Sequence, residues 1–223
     1  MMRSTAGGLI MAGLMTFSCA AAAQSGFLGD GQTPTLHVTS ADIAMDVPMP
    51  VSGANLSLLL ADAGSGSSLS ELKEAALQKY RRHLQGELSL QLNTFFADEE
   101  VPLVAREGQL TLQNRLDIKV IKHFSNLQRD GDYDLERGTV QLEGHFYYRL
   151  RDLSGRTLRE RNLDIASLDV REAYRVRTSR SGDTAEDNTE EAIKRALAAM
   201  VEEILDRIDG ELDAGELEDL AAG

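Results

Sequence analysis

Cysteine is almost absent from this 223-residue chain: the only one is Cys19, and it lies within the amino-terminal leader. Without a second thiol no disulfide forms, and once the leader is cleaved or acylated no thiolate is left to bind a metal. The fold must therefore be held by its apolar core. Also missing are the short motifs that accompany common chemistries. There is no Gly-x-Ser-x-Gly elbow, no His-Glu-x-x-His pair, no Walker loop with its lysine and no nicotinamide-binding signature. These absences count against a serine hydrolase of the usual kind, a zinc protease and an ATP- or nicotinamide-dependent enzyme. The four histidines, His37, His83, His123 and His145, are scattered singly. The apolar run at 6–17 is too short to cross a bilayer comfortably.

That run nevertheless has a reading. Arg3 precedes it, and small residues up to Ala21, Ala22 and Ala23 follow, so the pattern predicts a secretory signal over 1–23 and a working place outside a bacterial cytoplasm. Two processing routes are open. Cleavage after Ala23 would remove Cys19 and release a soluble periplasmic protein. The string Leu14-Met15-Thr16-Phe17-Ser18-Cys19 also fits a lipobox at Ser18, though not at Thr16 or Phe17, and acylation of Cys19 would tether the domain to the outer membrane.

Charge is unevenly spread. The net value is -13, and residues 181–223 hold 14 acids against Lys194, Arg195 and Arg207. Nucleic acid and anionic lipid head groups would repel such a chain, so neither is expected as a partner, and membrane attachment is expected only through a lipid on Cys19. The simplest reading of 209–223 is a solvated acidic tail.

About 200 residues remain after the leader, enough for one domain with its own core. Residues 24–54 read as a tether with short strands around 36–39 and 41–47, closed by Pro48 and Pro50, and the apolar run at 56–60 reads as a buried strand. Ser68 and Glu71 stand at capping-box spacing before a series with apolar residues four apart: Leu72, Ala76, Tyr80, Leu84, Leu88, Leu92 and Phe96. This predicts a helix over 69–97, weakened at Gly86 by roughly 1 kcal/mol relative to alanine. Leu110, Leu112, Leu116, Ile118 and Val120 alternate with polar residues, and Val140, Leu142, Phe146, Tyr148 and Leu150 repeat the arrangement, giving two strands dry on one face. Residues 125–138 read as a polar loop between them. Asp152-Leu153-Ser154-Gly155 reads as a turn into a third strand through Leu158, Leu163 and Ile165. A second helix carries Ala192, Ile193, Ala196, Leu197, Met200, Val201, Ile204, Leu205 and Ile208 on its dry side, with Asp187 and Asn188 as caps and Gly210 as its stop, and 211–223 are expected to fray.

The predicted class is α+β: an antiparallel β-meander packed on a long helix, with a C-terminal helix closing the same layer, over 55–208. The order of elements, with the hairpin Leu150-Arg151-Asp152-Leu153-Ser154-Gly155-Arg156-Thr157-Leu158, resembles small bacterial envelope proteins: transport-auxiliary lipoproteins similar to PqiC, YajG-like lipoproteins and the amino-terminal domain of TolB. That resemblance implies a non-enzymatic accessory protein, without cofactors, whose partners are other envelope proteins. It transfers no functional residue.

Candidate sites are few. His145, Tyr147, Arg149 and Arg151 form an aromatic and cationic strip on the wet face of the second strand, suited to protein contacts. His123 and His145 would be neighbours if the hairpin register brought them opposite each other. Asp130, Asp132 and Asp134 alternate like the start of a calcium loop, but Leu135 replaces its turn glycine. Asp209, Asp213 and Glu216 match the second half of such a loop, with Arg207 where an earlier ligand belongs, which makes them a weak calcium candidate. A ligand binder using these acids or a helix–sheet groove, and a hydrolase with an unfamiliar site, remain as alternatives.

Overall fold

The alternation at 110–120 and 140–150 marks the two longest strands of the molecule, seen in a computed structural model that describes residues 33–49, 67–179 and 184–223. One compact unit runs over Gly31–Gly223. Cys19 and the signal, the apolar run at 56–60 and the connection at 63–66 lie outside the described residues, as does the side chain of Ser68.

In chain order the described elements are β1 (Leu36–Val38), β2 (Asp42–Asp46), α1 (Ser67–Asp98), β3 (Leu110–Asp130), β4 (Tyr133–Asp152), β5 (Thr157–Asp164), a 3-10 turn (Ile165–Leu168), β6 (Arg171–Ser179), β7 (Thr184–Asp187), α2 (Thr189–Leu212) and α3 (Ala214–Ala222). The fold is α+β, with helices on one face of a mostly antiparallel sheet. β3 and β4 pair along their whole length, from Leu110 opposite Asp152 to Asp130 opposite Tyr133, with a bulge between Phe124 and Asn126. The polar loop expected at 125–138 is therefore strand, closed by a tight turn at Gly131 (φ 64°). From His123 to Asp132 the alternation fades because every residue of this end of the ribbon is exposed. Phe124 and Leu127 are among its exposed residues.

The sheet is more branched than a meander. β4 pairs with β6 through Gln141 and with β5 from His145, so its outer edge changes partner across a gap at 142–144 that ends in Gly144. On the other side β1 and β2 join β3 in parallel, at Leu110–Leu112 and Arg115–Lys119 in turn. β6 and β7 were not legible beforehand, since only Tyr174 and Val176 of β6 are buried and β7 is exposed throughout.

Side chains at Leu110, Leu112, Leu116, Ile118, Val140, Phe146, Tyr148 and Leu150 point inward and are buried. Tyr80, Leu84, Leu88, Leu92 and Phe96 of α1 meet the same core, whereas Leu72, at the start of the predicted stripe, is half exposed. α1 ends in a Schellman motif. Glu100 takes a left-handed turn (φ 55°), Val101 N–H donates to Phe96 O at 2.8 Å, and buried Val101 and Phe96 close the end of the helix. α2 lies on β4 and β6, and polar side chains of α1 hold it: Gln91 donates to Ala198 O and Lys79 pairs with Glu190. At the start of α2, Asp187 accepts from Thr189 N–H, while Asn188 turns its amide oxygen to Arg175 N–H.

The expected stop at Gly210 and the fraying tail beyond it do not occur. α2 runs on to Leu212, and Asp213 breaks the helix and caps α3 by accepting from Glu216 N–H at 2.8 Å. Leu212 and Leu217 are fully buried, so apolar burial holds the acidic end to the body. Charge pairing adds to it: Arg159 donates to Glu211 O and to Glu216, Arg161 pairs with Glu211, and Tyr148 O–H donates to Glu211.

Three tyrosine hydroxyls sit where ionisation is disfavoured. Burial, reinforced by Glu190, Asp187 and Glu191, pushes the Tyr80 phenol up to about 12 from its ordinary value near 10. Burial raises Tyr148, and burial together with the bond to Glu136 raises Tyr174 well beyond the usual range. In the unfolded chain these phenols ionise near pH 10, whereas the folded ones hold their protons. Their contribution is complete below pH 10 and is lost as pH rises through the folded values. Denaturant midpoints should be flat from pH 8 to about 9.5 and fall steadily above that, with phenolate absorbance from buried tyrosines appearing only together with unfolding.

Candidate functional site

The pleat that turns Leu150, Tyr148 and Phe146 inward turns Arg151, Arg149, Tyr147 and His145 outward. Beside them stand Thr111, Gln113, Arg115 and Asp117 of β3, and Glu160, Asn162 and Asp164 of β5. None of these side chains is buried, and among the described residues no helix covers this face.

Its centre is a three-residue cluster. Tyr147 O–H donates to Glu160 Oε2 at 2.6 Å, Arg149 Nε donates to the same oxygen at 3.0 Å, and the Arg149 guanidinium lies 5.3 Å from the Tyr147 ring centre. The bond from Tyr147, then the one from Arg149, hold the Glu160 carboxyl below the usual carboxylate range. That same carboxylate raises the Tyr147 phenol. The cluster is thus a preordered aromatic and cationic surface. Arg151 lies at the end of the row, and its Nε has no hydrogen-bond partner among the described residues. His145 faces Asp117 across the ladder and Asp164 on the other side. The row on β4 was legible in the sequence but Glu160 was not, since only the β4–β5 register sets it opposite Arg149 and within reach of the Tyr147 hydroxyl.

The other candidates separate. His123 lies opposite Thr139, six residues along β4 from His145 and so roughly 20 Å away. His37 Nδ1 is 3.2 Å from Val104 O, and His83 Nε2 is 3.2 Å from Lys194 O. Asp130 is part of the turn of the ribbon and pairs with Arg177. Asp209 sits within α2, Asp213 caps α3 and Glu216 bonds Arg159 at 2.7 Å, so the half-loop motif is folded as a helix junction. No group of three or more acids, histidines or cysteines arranged to hold a metal ion occurs among the described residues.

One position that nothing had singled out stands apart. Asn114 belongs to the inward row of β3, between Leu112 and Leu116, and is the buried polar residue of the core at 5 % exposure. Its side-chain oxygen and nitrogen both lack partners. It lies at a cleft between α1 and the β1–β2 junction.

The molecule is thus a one-sided α+β sandwich whose outer sheet face is open among the described residues. No family model and no curated protein matches the chain. Among solved structures it is similar to a neuraminyllactose-binding hemagglutinin homolog from Helicobacter pylori, at 10% identity over 85% of this chain and 91% of that one, with a TM-score of 0.48. It is also similar to a minor lipoprotein from Acinetobacter baumannii (12% identity, 77% and 94% of the two chains, TM-score 0.28). A third likeness is to lipoprotein GNA1162 from Neisseria meningitidis (10% identity, 79% and 98%, TM-score 0.19). The likeness is distant in each case. With identities and TM-scores this low, it singles out no family and assigns no role to any residue.

Proposed function

We propose that this chain is an exported, non-enzymatic accessory protein of the bacterial envelope, periplasmic or held to the outer membrane through a lipid on Cys19, and that it acts through protein contacts of its outer sheet face. The observation that carries this reading is the asymmetry of the sheet. One face is sealed by α1 and α2, whereas on the other no helix among the described residues covers exposed His145 or half-exposed Tyr147, Arg149 and Arg151. Tyr and Arg supply much contact energy per residue, and the shared bonds to Glu160 fix two of these side chains before a partner arrives, which lowers the entropy lost on docking. The signal expected over 1–23 supports export.

Site-specific photo-crosslinking in cells tests it. A photoreactive phenylalanine at position 147 should give a discrete adduct in the envelope fraction, and Arg149→Glu should abolish that adduct. The same probe at Leu153, an exposed turn position, should give none. Equal labelling from both positions, or no adduct at 147, would overturn the proposal.

A further inference from the structure

Asn114 breaks the dry row of β3 at the point where the neighbouring edge is interrupted. β1 leaves the ladder at Leu112, where Thr39 still donates its N–H to Leu112 O at 2.9 Å, and β2 joins it at Arg115, so Ser40 and Ala41 cross the gap without pairing and border a cleft of about 410 Å³. The opposite wall is α1, where Gly86 carries no side chain and nothing lies within 4 Å of where its Cβ would be. A glycine in the middle of a 32-residue helix keeps this wall low.

The chemistry of the lining is specific. The carboxamide of Asn114 offers one acceptor and one donor side by side, both unpartnered, in a residue that keeps only 5 % of its surface exposed. Leaving both unsatisfied disfavours the empty fold, so the site is built for a group that presents the complementary pair. No lining residue is ionisable, although a quarter of the chain is charged. An ionic ligand would therefore be buried without a counter-charge. No aromatic ring lines the cleft either, so a sugar has no surface on which to stack. A peptide unit fits: the N–H and C=O of one extended residue project side by side and match a carboxamide in two parallel bonds. Leu88, Leu92 and Leu103 leave room for a small apolar side chain. We propose that this cleft binds an uncharged, extended peptide segment with small side chains, its backbone read by Asn114. The inference does not depend on the outer-face reading.

Titration of ¹⁵N-labelled protein with the neutral tripeptide N-acetyl-Ala-Ala-Ala-amide tests it, with acetate and glucose as parallel arms. The Asn114 side-chain amide pair, identified by its loss in Asn114→Leu, should shift saturably with the tripeptide and with neither control. Asn114→Leu should bind at least about tenfold more weakly while melting no lower than the parent, since it removes two bonds to ligand and an unsatisfied buried amide. Should that variant fail to fold, Gly86→Leu, which narrows the cleft from an exposed helix position, must show the same loss. A shift with glucose or acetate instead, no saturable shift with the tripeptide, or undiminished binding in the folded variants would overturn the proposal.

Discussion

Gly144→Val is expected to cost about 4 kcal/mol or more and to leave little folded protein, because it meets two obstacles at once. The residue has φ 123°, a region that side chains beyond glycine rarely enter. A Cβ there would also lie 1.9 Å from the carbonyl oxygen of Asp117, on the strand opposite. The obstruction is backbone, so no rotamer change relieves it. This close approach falls where β4 exchanges β6 for β5 as its edge partner, and the curl of the sheet at that point needs the two backbones pressed together. Gly155→Ala provides the comparison, since Gly155 also has positive φ (82°) but nothing lies within 4 Å of its Cβ. Only the conformational penalty applies, so about 1 kcal/mol is expected. Denaturant unfolding followed by circular dichroism measures both; a Gly144→Val protein as stable as Gly155→Ala would show that the strands do not approach as described.

Phe96→Ala should destabilise the fold by about 3–5 kcal/mol, the range for removing a fully buried aromatic side chain. Phe96 has no exposed surface, packs edge-on to Phe95 with ring centres 5.0 Å apart, and closes the end of α1 against Val101. The loss comprises the burial free energy of the removed ring atoms and a term for the cavity they leave. Phe124→Ala is the matching control, because that ring is 62% exposed on the projecting ribbon and its loss should stay within about 0.5 kcal/mol. If the two substitutions cost the same, α1 does not bury its stripe against the sheet.

The long helix and the two central strands were legible because each carries a sustained period. Spacing of four from Ala76 to Phe96 can only serve a helix with one dry side, and the alternation at Leu110–Val120 and at Val140–Leu150 can only serve a strand with one. Where a segment has water on both faces, as in the ribbon beyond Lys122, no such period exists and polar strand reads as loop. The carboxyl end misled for a different reason. Its acids dominate the composition, whereas its structure is decided by two residues, Leu212 and Leu217, whose burial outweighs the charge around them. The outer strip was legible as a row on one strand, yet its defining partner, Glu160, lies on another strand and depends on register. Asn114 did leave a trace in the sequence, a polar residue in a row of leucines. What made it a candidate was the interrupted β1–β2 edge, which only the three-dimensional pairing reveals.

The account rests on the difference between the two faces of one sheet, and adjacent residues of β4 report on it. Hydroxyl-radical footprinting of the folded protein should oxidise Tyr147 readily while leaving Phe146 and Tyr148 on either side protected, with Phe124 as the freely reacting reference. Labelling of Tyr148 as fast as Tyr147 would mean that the helices do not seal the inner face, and would contradict the account.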